Sequence, residues 1–250
     1  MKIVIGKDVD EMGALAAELA SAKLCEAVAK KGEARLILST GESQFAVIKH
    51  LIKKAVPWDK VLMFHLDEYV GMPETHNASF RKYLKERVVN LVHPRRMVFV
   101  SGEGDVQSNI AALTKEIRET PIDLALIGIG ENAHIAFNDP PANFDTREAY
   151  IVVNLDEACK KQQVGEGWFA GINDVPGKAI SMTVYQIMLS DMIISCVPGK
   201  RKAAAVRDTL SAPSTTNLIP ATMLKEHKNW HLFLDQESAS LTDAQKLQSK

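Results

Sequence analysis

Two groups of side chains in this sequence have the types and spacing that proton transfer needs. Asp67 and Glu68 directly follow the apolar run Val61 to Leu66, so two carboxylates stand at the end of a predicted strand. His134 follows a glycine-rich turn and lies five residues before Asp139. A carboxylate can act as a general base, and an imidazole oriented by a carboxylate can exchange protons near neutral pH. Exposed Asp-Glu pairs and structural histidines are also common, so each motif alone leaves a non-catalytic interpretation open.

A third group of residues could hold an anion. One loop combines hydroxyls, a glycine and the free N–H groups of a helix start, which suit a phosphate; its residues are Ser39, Thr40, Gly41, Glu42 and Ser43. The loop would equally suit a simple helix cap, and it lacks the spacing of a nucleotide-binding P-loop. Lys200, Arg201 and Lys202 begin another predicted helix, where cations are disfavoured unless an anion is bound. At least one of these cations could therefore neutralise a phosphate.

Short apolar runs that predict buried strands precede all of these motifs. The runs are Ile3 to Ile5, Leu36 to Leu38, Val61 to Leu66, Met97 to Val100, Leu124 to Ile129, Ile193 to Val197 and His231 to Leu234. They lack clean alternation, which is typical of parallel strands covered on both faces. Helical periodicity is predicted between them at Met12 to Lys30, Ser43 to Lys54, Ala78 to Val89, Val106 to Glu119 and Arg201 to Leu210. The pattern predicts a Rossmann-like α/β fold, with a mostly parallel sheet sandwiched by helices, in a single domain over residues 1–250.

The position of the polar motifs along the chain agrees with this fold. Ligands of parallel α/β sheets bind at the carboxyl ends of the strands. Each motif follows a different apolar run, so four strand ends are expected to bring them to one crevice. The final segment, Gln236 to Lys250, predicts a polar helix or a frayed tail.

Composition excludes several classes of function. Thirty Lys+Arg residues against 31 Asp+Glu residues give a net charge of -1, so no basic excess indicates a nucleic-acid or membrane partner. The apolar run near the N-terminus is too short for a signal peptide, and no stretch of about 18 apolar residues could span a bilayer. Cys25, Cys159 and Cys196 are widely spaced and favour reduced thiols. A cytoplasmic protein is expected.

Two segments resemble the signatures of glucosamine-6-phosphate deaminases: Leu66 through Gly71, and Gly128 through Pro140. Further matches, in the same order along the chain, are Thr40-Gly41, His76 to Phe80, Val175-Pro176, Ala179 to Thr183 and Gly199 to Ala203. The resemblance covers nearly the whole chain. It implies aldose-ketose isomerisation and deamination of an amino-sugar 6-phosphate, giving fructose 6-phosphate or an epimer and ammonia, with no metal and no redox cofactor.

The resemblance also implies a role for each candidate residue. Asp67 corresponds to the base that moves a proton from C2 to C1 of the sugar. His134 corresponds to the residue that opens the ring, and Asp139 stands where a carboxylate, usually Glu, orients it. The loop from Thr40 to Ser43 and Lys202 match the phosphate site, and Ser39 is a further candidate phosphate-binding residue.

Three departures from the family pattern accompany these matches. Asn132 replaces an aspartate that is usual two residues before the histidine, and Ala133 stands where glycine is common. Asn132 is therefore included among the candidate catalytic residues, with one negative charge missing near His134. The stretch Gln162 to Phe169 contains no arginine to match the one that the family uses against the substrate phosphate. No allosteric-site match is found.

Two other functions remain as alternatives. A 6-phosphogluconolactonase shares the fold and a glycine-rich turn ending in histidine, and a non-catalytic sugar-phosphate sensor could use the same module. The deaminase is favoured because Asp67 supplies a base and because the run Phe137 to Pro140 follows the histidine. A small-molecule sugar phosphate is the expected partner, while the sugar epimer and assembly into a homo-oligomer are left open.

Overall fold

The computed structural model describes residues 1–243, and in this range it contains ten strands and eight α-helices. The strands are β1 Lys2–Ile5, β2 Ala34–Leu38, β3 Val61–His65, β4 Asp67–Tyr69, β5 Arg96–Val98, β6 Leu124–Leu126, β7 Tyr150–Asn154, β8 Lys178–Met182, β9 Met192–Val197 and β10 Trp230–Leu234. The helices are α1 Val9–Lys31, α2 Phe45–Leu51, α3 Phe80–Leu84, α4 Asn90–Val92, α5 Val106–Ile117, α6 Glu157–Gly165, α7 Val184–Met188 and α8 Ala203–Ser211. A π-helical segment, Lys85–Val89, joins α3 to α4.

Seven strands form one parallel sheet in the order β1-β10-β9-β6-β2-β3-β5. All seven apolar runs of the sequence lie in this sheet, and the predicted α/β fold is confirmed. The interior strand β2 is buried on both faces: Leu36 and Leu38 pack in the core beside α1 and α2, whereas Ile37 packs in the core on the other face. Burial on both faces explains why the runs do not alternate.

Helix α1 shows how local sequence sets the ends of these elements. The side chain of Asp8 accepts a hydrogen bond from the Glu11 N–H at 2.8 Å, which caps the N-terminus. Gly32 ends the helix in the left-handed conformation, with φ of 79°, and donates its N–H to Val28. In the described residues no helix is long and apolar enough to cross a membrane.

A second sheet of three antiparallel strands, in the order β4-β8-β7, was not predicted from the sequence. The predicted strand Val61 to Leu66 ends at His65, after which β4 leaves the main sheet and pairs with β8. Asp67 lies opposite Ser181 in this pairing. β4 has only three residues and follows β3 after a single residue, so the sequence shows no boundary between the two strands.

Two predicted boundaries also differ from the structure. The run Leu124 to Ile129 leaves the sheet after Leu126, because Gly128 donates its N–H to the side chain of Ser39 at 3.1 Å instead of extending the ladder. At the C-terminus, residues 236–242 form successive turns instead of a helix. The rest of the predicted tail, residues 244–250, lies outside the described residues.

Candidate active site

A cavity of about 620 Å³ lies at the carboxyl ends of β2, β3, β6 and β9. The motifs that follow these strands contribute to its wall, as the strand-end rule predicts. Of the candidate residues, those that line the cavity are Ser39, Thr40, Gly41, Glu42, Ser43, Asp67, His134 and Lys202. Asn132 and Asp139 are not part of the lining and contact His134 from behind.

Asp67 is the buried carboxyl group at one side of the cavity. It begins β4 and is only 7% exposed. Burial raises its pKa to about 8, and the neighbouring charge of Glu68 adds to this effect. A carboxyl group with such a pKa can both take up and release a proton near neutral pH.

Glu68 is adjacent to Asp67 in sequence, but its carboxylate has a structural role. Its carboxylate is fully buried and accepts hydrogen bonds from Ser79 Oγ at 2.7 Å, from the Arg81 N–H at 3.1 Å and from Arg81 Nε at 3.3 Å. It also accepts one from the Tyr69 N–H at 3.0 Å. Because these donors occupy both oxygens, Glu68 ties β4 to the start of α3, and Asp67 is left as the carboxyl group that faces the cavity.

His134 forms a close pair with the carboxylate behind it. Its Nδ1 lies 3.0 Å from Asp139 Oδ1, and Asn132 Nδ2 donates to that same oxygen at 2.9 Å. The Asn132 carbonyl oxygen accepts from the His134 N–H at 3.1 Å. Burial opposes ionisation of Asp139, but the contacts with His134 and Asn132 hold its pKa below the usual value. The pair therefore combines an ionised carboxylate with an imidazole that reaches the cavity.

The backbone conformation around His134 limits which residues can stand at the neighbouring positions of the turn. Ala133 and Ala136 are in the left-handed region, with φ of 64° and 52°. The N–H of Gly130 donates to the His134 carbonyl at 2.9 Å. A Cβ at position 130 would lie 2.3 Å from His134 Nε2, so the imidazole can pack here only over a glycine.

The loop from Ser39 to Ser43 offers fewer free hydroxyls than its sequence suggests. Ser39 Oγ donates to the Leu126 carbonyl at 2.7 Å and accepts from the Gly128 N–H at 3.1 Å. Its single proton is therefore used to hold the loop against β6. Ser43 Oγ accepts from Gln44 Nε2, which leaves its proton available. Gly41, with φ of 92°, starts the 3₁₀ turn Glu42–Gln44 that leads into α2.

A second turn of the same design faces this loop across the cavity. Gly199, with φ of 84°, starts the 3₁₀ turn Lys200–Lys202 that leads into α8. In residues 1–243 the amine of Lys202 has no hydrogen-bond or ion-pair partner. Burial lowers its pKa, while the nearby carboxylates Glu131 and Glu166 act in the opposite direction. A half-buried cation that lines a cavity without a partner is suited to an anionic ligand.

One group of cavity residues was missed by the sequence analysis. Glu166 Oε1 accepts from Gln162 Nε2 at 2.8 Å, and Glu166 Oε2 accepts from Trp168 Nε1 at 3.3 Å. All three side chains line the cavity. The i,i+4 spacing of Gln162 and Glu166 was the available signal, since it places both on one face of a helix.

The sequence matches a family model described as glucosamine-6-phosphate isomerases/6-phosphogluconolactonase over residues 7–233. A glucosamine-6-phosphate deaminase of Streptococcus uberis is 34% identical over 244 residues, covering 97% of this chain and 100% of that protein. A glucosamine-6-phosphate deaminase of Lactobacillus delbrueckii subsp. bulgaricus is 32% identical and covers 96% and 99% of the two chains.

Solved structures show the same fold. A monomeric glucosamine-6-phosphate deaminase superposes with a TM-score of 0.89 at 28% identity, covering 97% of this chain and 100% of that one. A 6-phosphogluconolactonase from Trypanosoma brucei superposes with a TM-score of 0.77 at 15% identity, covering 96% and 97%. At that identity the second similarity concerns the fold alone.

The buried carboxyl group of Asp67 makes the stability of the protein depend on pH. Its folded pKa of about 8 lies above the value of about 3.9 in an unfolded chain, so the folded state keeps a proton that the unfolded state has released. The free energy of unfolding is therefore expected to fall as pH rises from about 4 to about 8.

In Asp67→Asn this loss of stability disappears, so the variant should become increasingly more stable than wild type from pH 5 to pH 8 in urea unfolding. The exposed control Asp59→Asn should show no such trend, and a difference between Asp67→Asn and wild type that is constant with pH would contradict the assignment.

Proposed function

The chain belongs to the family of glucosamine-6-phosphate isomerases and 6-phosphogluconolactonases, and we propose that it isomerises and deaminates an amino-sugar 6-phosphate. The products are ammonia and fructose 6-phosphate or an epimer. The observation that carries this proposal is the joint placement of Asp67, His134 and Lys202 in the wall of one cavity. A base, an acid-base group and an anion receptor are the three functions that the reaction needs.

Recognition of the substrate begins at the phosphate. Lys202 supplies a positive charge, and the loop from Thr40 to Ser43 supplies the Ser43 hydroxyl and the N–H groups at the start of its turn. Glu42 contributes only through its backbone, because its carboxylate would repel a phosphate. Ser39 acts by holding the loop in place, since its proton is bonded to β6.

Ring opening is the step assigned to His134. The imidazole moves a proton between its own nitrogen and the ring oxygen of the sugar, and Asp139 holds the opposite nitrogen at 3.0 Å. Asn132 takes part as a positioning residue, because it contacts Asp139 and the His134 backbone but not the cavity.

Proton transfer between carbons is the step assigned to Asp67. Its carboxylate removes the proton from C2 of the open-chain aldose and returns it to C1, while the C1 oxygen gains the proton that the C2 ammonium group loses, which leaves a hydroxyl at C1 and an iminium group at C2. Water then hydrolyses the iminium group to the ketose and ammonia. The raised pKa of Asp67 supports this role, because the same group must bind and release the proton within one cycle.

Sugar-lactone hydrolysis is less well supported than deamination. A lactonase needs an activated water, but it needs no carboxylate that shuttles a proton between two carbons. The buried Asp67 would have no task in such a reaction, and the relatives at 34% and 32% identity bear the name of the deaminase. A non-catalytic sugar-phosphate sensor would likewise leave the His134 and Asp139 pair without a task.

Several expectations from the sequence stay predictions. They are the single domain over residues 1–250, the absence of a metal or redox cofactor, the absence of nucleic-acid and membrane partners, the cytoplasmic location and the assembly state of the chain.

Replacement of Asp67 tests the proposed reaction directly. Asp67→Asn keeps the shape of the side chain but cannot accept the C2 proton, so turnover should fall by a factor on the order of 10² to 10⁴. The measurement is ammonia release from a panel of hexosamine 6-phosphates, with 6-phosphogluconolactone hydrolysis followed in parallel. Near-normal ammonia release by the variant, or lactone hydrolysis as the only activity of wild type, would refute the proposal.

Replacement of Lys202 tests the phosphate site. Loss of a charge-assisted contact in Lys202→Ala should weaken binding of the phosphorylated sugar by roughly 1.5 to 3 kcal/mol, seen as a higher KM. The unphosphorylated amino sugar is the control ligand, and its weak binding should be the same in both proteins. Equal affinity of wild type for the phosphorylated and unphosphorylated sugars would show that no phosphate site exists here.

Replacement of Asn132 tests how the His134 and Asp139 pair is tuned. Asn132→Asp places a carboxylate oxygen where an N–H donor now lies 2.9 Å from Asp139, so the loss of that donor and the added negative charge should raise the pKa of Asp139. We expect the corresponding limb of the kcat/KM pH profile to move up by about one unit. Asn132→Ala removes the donor without adding a charge and serves as the control. An unchanged profile in folded Asn132→Asp would mean that Asn132 only organises the turn.

A further inference from the structure

Arg201 is the only arginine among the described residues that line the cavity, and the function proposed above gives it no task. It lies beside Lys202 on the glycine-led turn. Its Nη2 is paired with Oε1 of Glu131, which also lines the cavity and stands three residues before His134. The pair therefore connects the turn that holds the phosphate cation to the turn that holds the imidazole.

The ion pair between Arg201 and Glu131 is weak enough for Arg201 to exchange Glu131 for another anion. The Arg201 side chain is 57% exposed and that of Glu131 is 35% exposed, and ion pairs in contact with water contribute little free energy. A phosphate group presents three oxygens and up to two negative charges, whereas the Glu131 carboxylate has two oxygens and one charge. A guanidinium can bind two phosphate oxygens at once, which makes the phosphate the better acceptor.

The negative charges around Lys202 give a reason why a bound phosphate needs a further cation nearby. Glu42, Glu131 and Glu166 all act on the Lys202 amine. A phosphate entering this end of the cavity would meet two lysines, the half-buried Lys202 and the exposed Lys200, against three carboxylates, so the lysines would leave the added negative charge poorly compensated. The pairing of Arg201 with Glu131 places a further cation in the same wall of the cavity.

We propose that Arg201 leaves Glu131 when substrate binds and holds the substrate phosphate together with Lys202. This inference rests on the proposed function, since it takes the sugar phosphate as the ligand. In the free protein the guanidinium of Arg201 pairs with the carboxylate of Glu131. In the complex, phosphate oxygens replace that carboxylate as its partner. The exchange frees Glu131 at the start of the His134 turn, so phosphate binding changes the charge beside the ring-opening group.

The test compares arginine variants in the binding of inorganic phosphate by calorimetry, without turnover. Arg201→Ala should weaken phosphate binding by about tenfold, the effect of one lost charge-assisted contact. Arg207→Ala is the matched control, because Arg207 lies in α8, the helix that follows the turn of Arg201, pairs with the adjacent Asp208 and is not part of the cavity wall. It should stay within about twofold of wild type. Glu131→Gln removes the competing carboxylate and should tighten phosphate binding by about threefold.

Kinetics with the amino-sugar phosphate provide the second readout. Arg201→Ala should raise KM much more than it lowers kcat, because the guanidinium contacts the phosphate in both the ground state and the transition state. Phosphate affinity of Arg201→Ala equal to that of Arg207→Ala would overturn the inference. If Lys202→Ala weakens phosphate binding in that case, the phosphate site stands and only the role of Arg201 fails. If Lys202→Ala also has no effect, the proposed function loses its phosphate site as well.

Discussion

The burial of two adjacent carboxyl groups at the start of β4 is the constraint on which the site depends. Glu68 can be buried because Ser79, Arg81 and Tyr69 donate to its oxygens. Successive side chains of a strand point to opposite faces, so fixing Glu68 toward α3 directs Asp67 toward the cavity. Within residues 1–243 Asp67 has no comparable set of donors, and this difference separates the structural carboxylate of Glu68 from the carboxyl group that we propose as the base.

Two turns of the same construction provide the anion-binding side of the cavity. In each, a glycine in the left-handed region follows a parallel strand and starts a 3₁₀ turn that continues into an α-helix: Gly41 before α2 and Gly199 before α8. A positive φ at the glycine allows the sharp change of direction into the helix, and the first N–H groups of a helix are suited to an anion. Each turn is anchored from outside the cavity, through Ser39 to the Leu126 carbonyl and through the Gly199 N–H to Asp235 at 2.9 Å. The strands therefore set the distance between the two turns.

The main sheet could be read from the sequence because burial on both faces leaves continuous apolar runs. The small sheet could not, because β4 has only three residues and its partner β8 lies over one hundred residues further along the chain. Position after a strand identified Asp67, His134 and Lys202 as members of one cavity. Position along the chain could not show which of Asp67 and Glu68 faces the cavity, since only the hydrogen bonds that Glu68 makes in the folded chain distinguish the two. The sequence also could not show that the Ser39 hydroxyl donates to the Leu126 carbonyl or that the Glu166 carboxylate accepts from Gln162 and Trp168, because these hydrogen bonds form only in the folded chain.

The raised pKa of Asp67 connects the base to the charge of its proposed substrate. In the free protein burial favours the protonated form near neutral pH, and a protonated carboxyl group cannot take the C2 proton. An amino sugar brings an ammonium group on C2, the carbon from which Asp67 is to remove the proton. An opposite charge close to a carboxyl group favours its ionised form, so we propose that binding of the amino sugar converts Asp67 to its active form. After ammonia has left, the ketose product carries no such charge and the carboxyl group regains its proton. On this proposal a sugar phosphate without the amine would leave Asp67 protonated, and the burial that raises the pKa of Asp67 would also select for substrates that carry the amine.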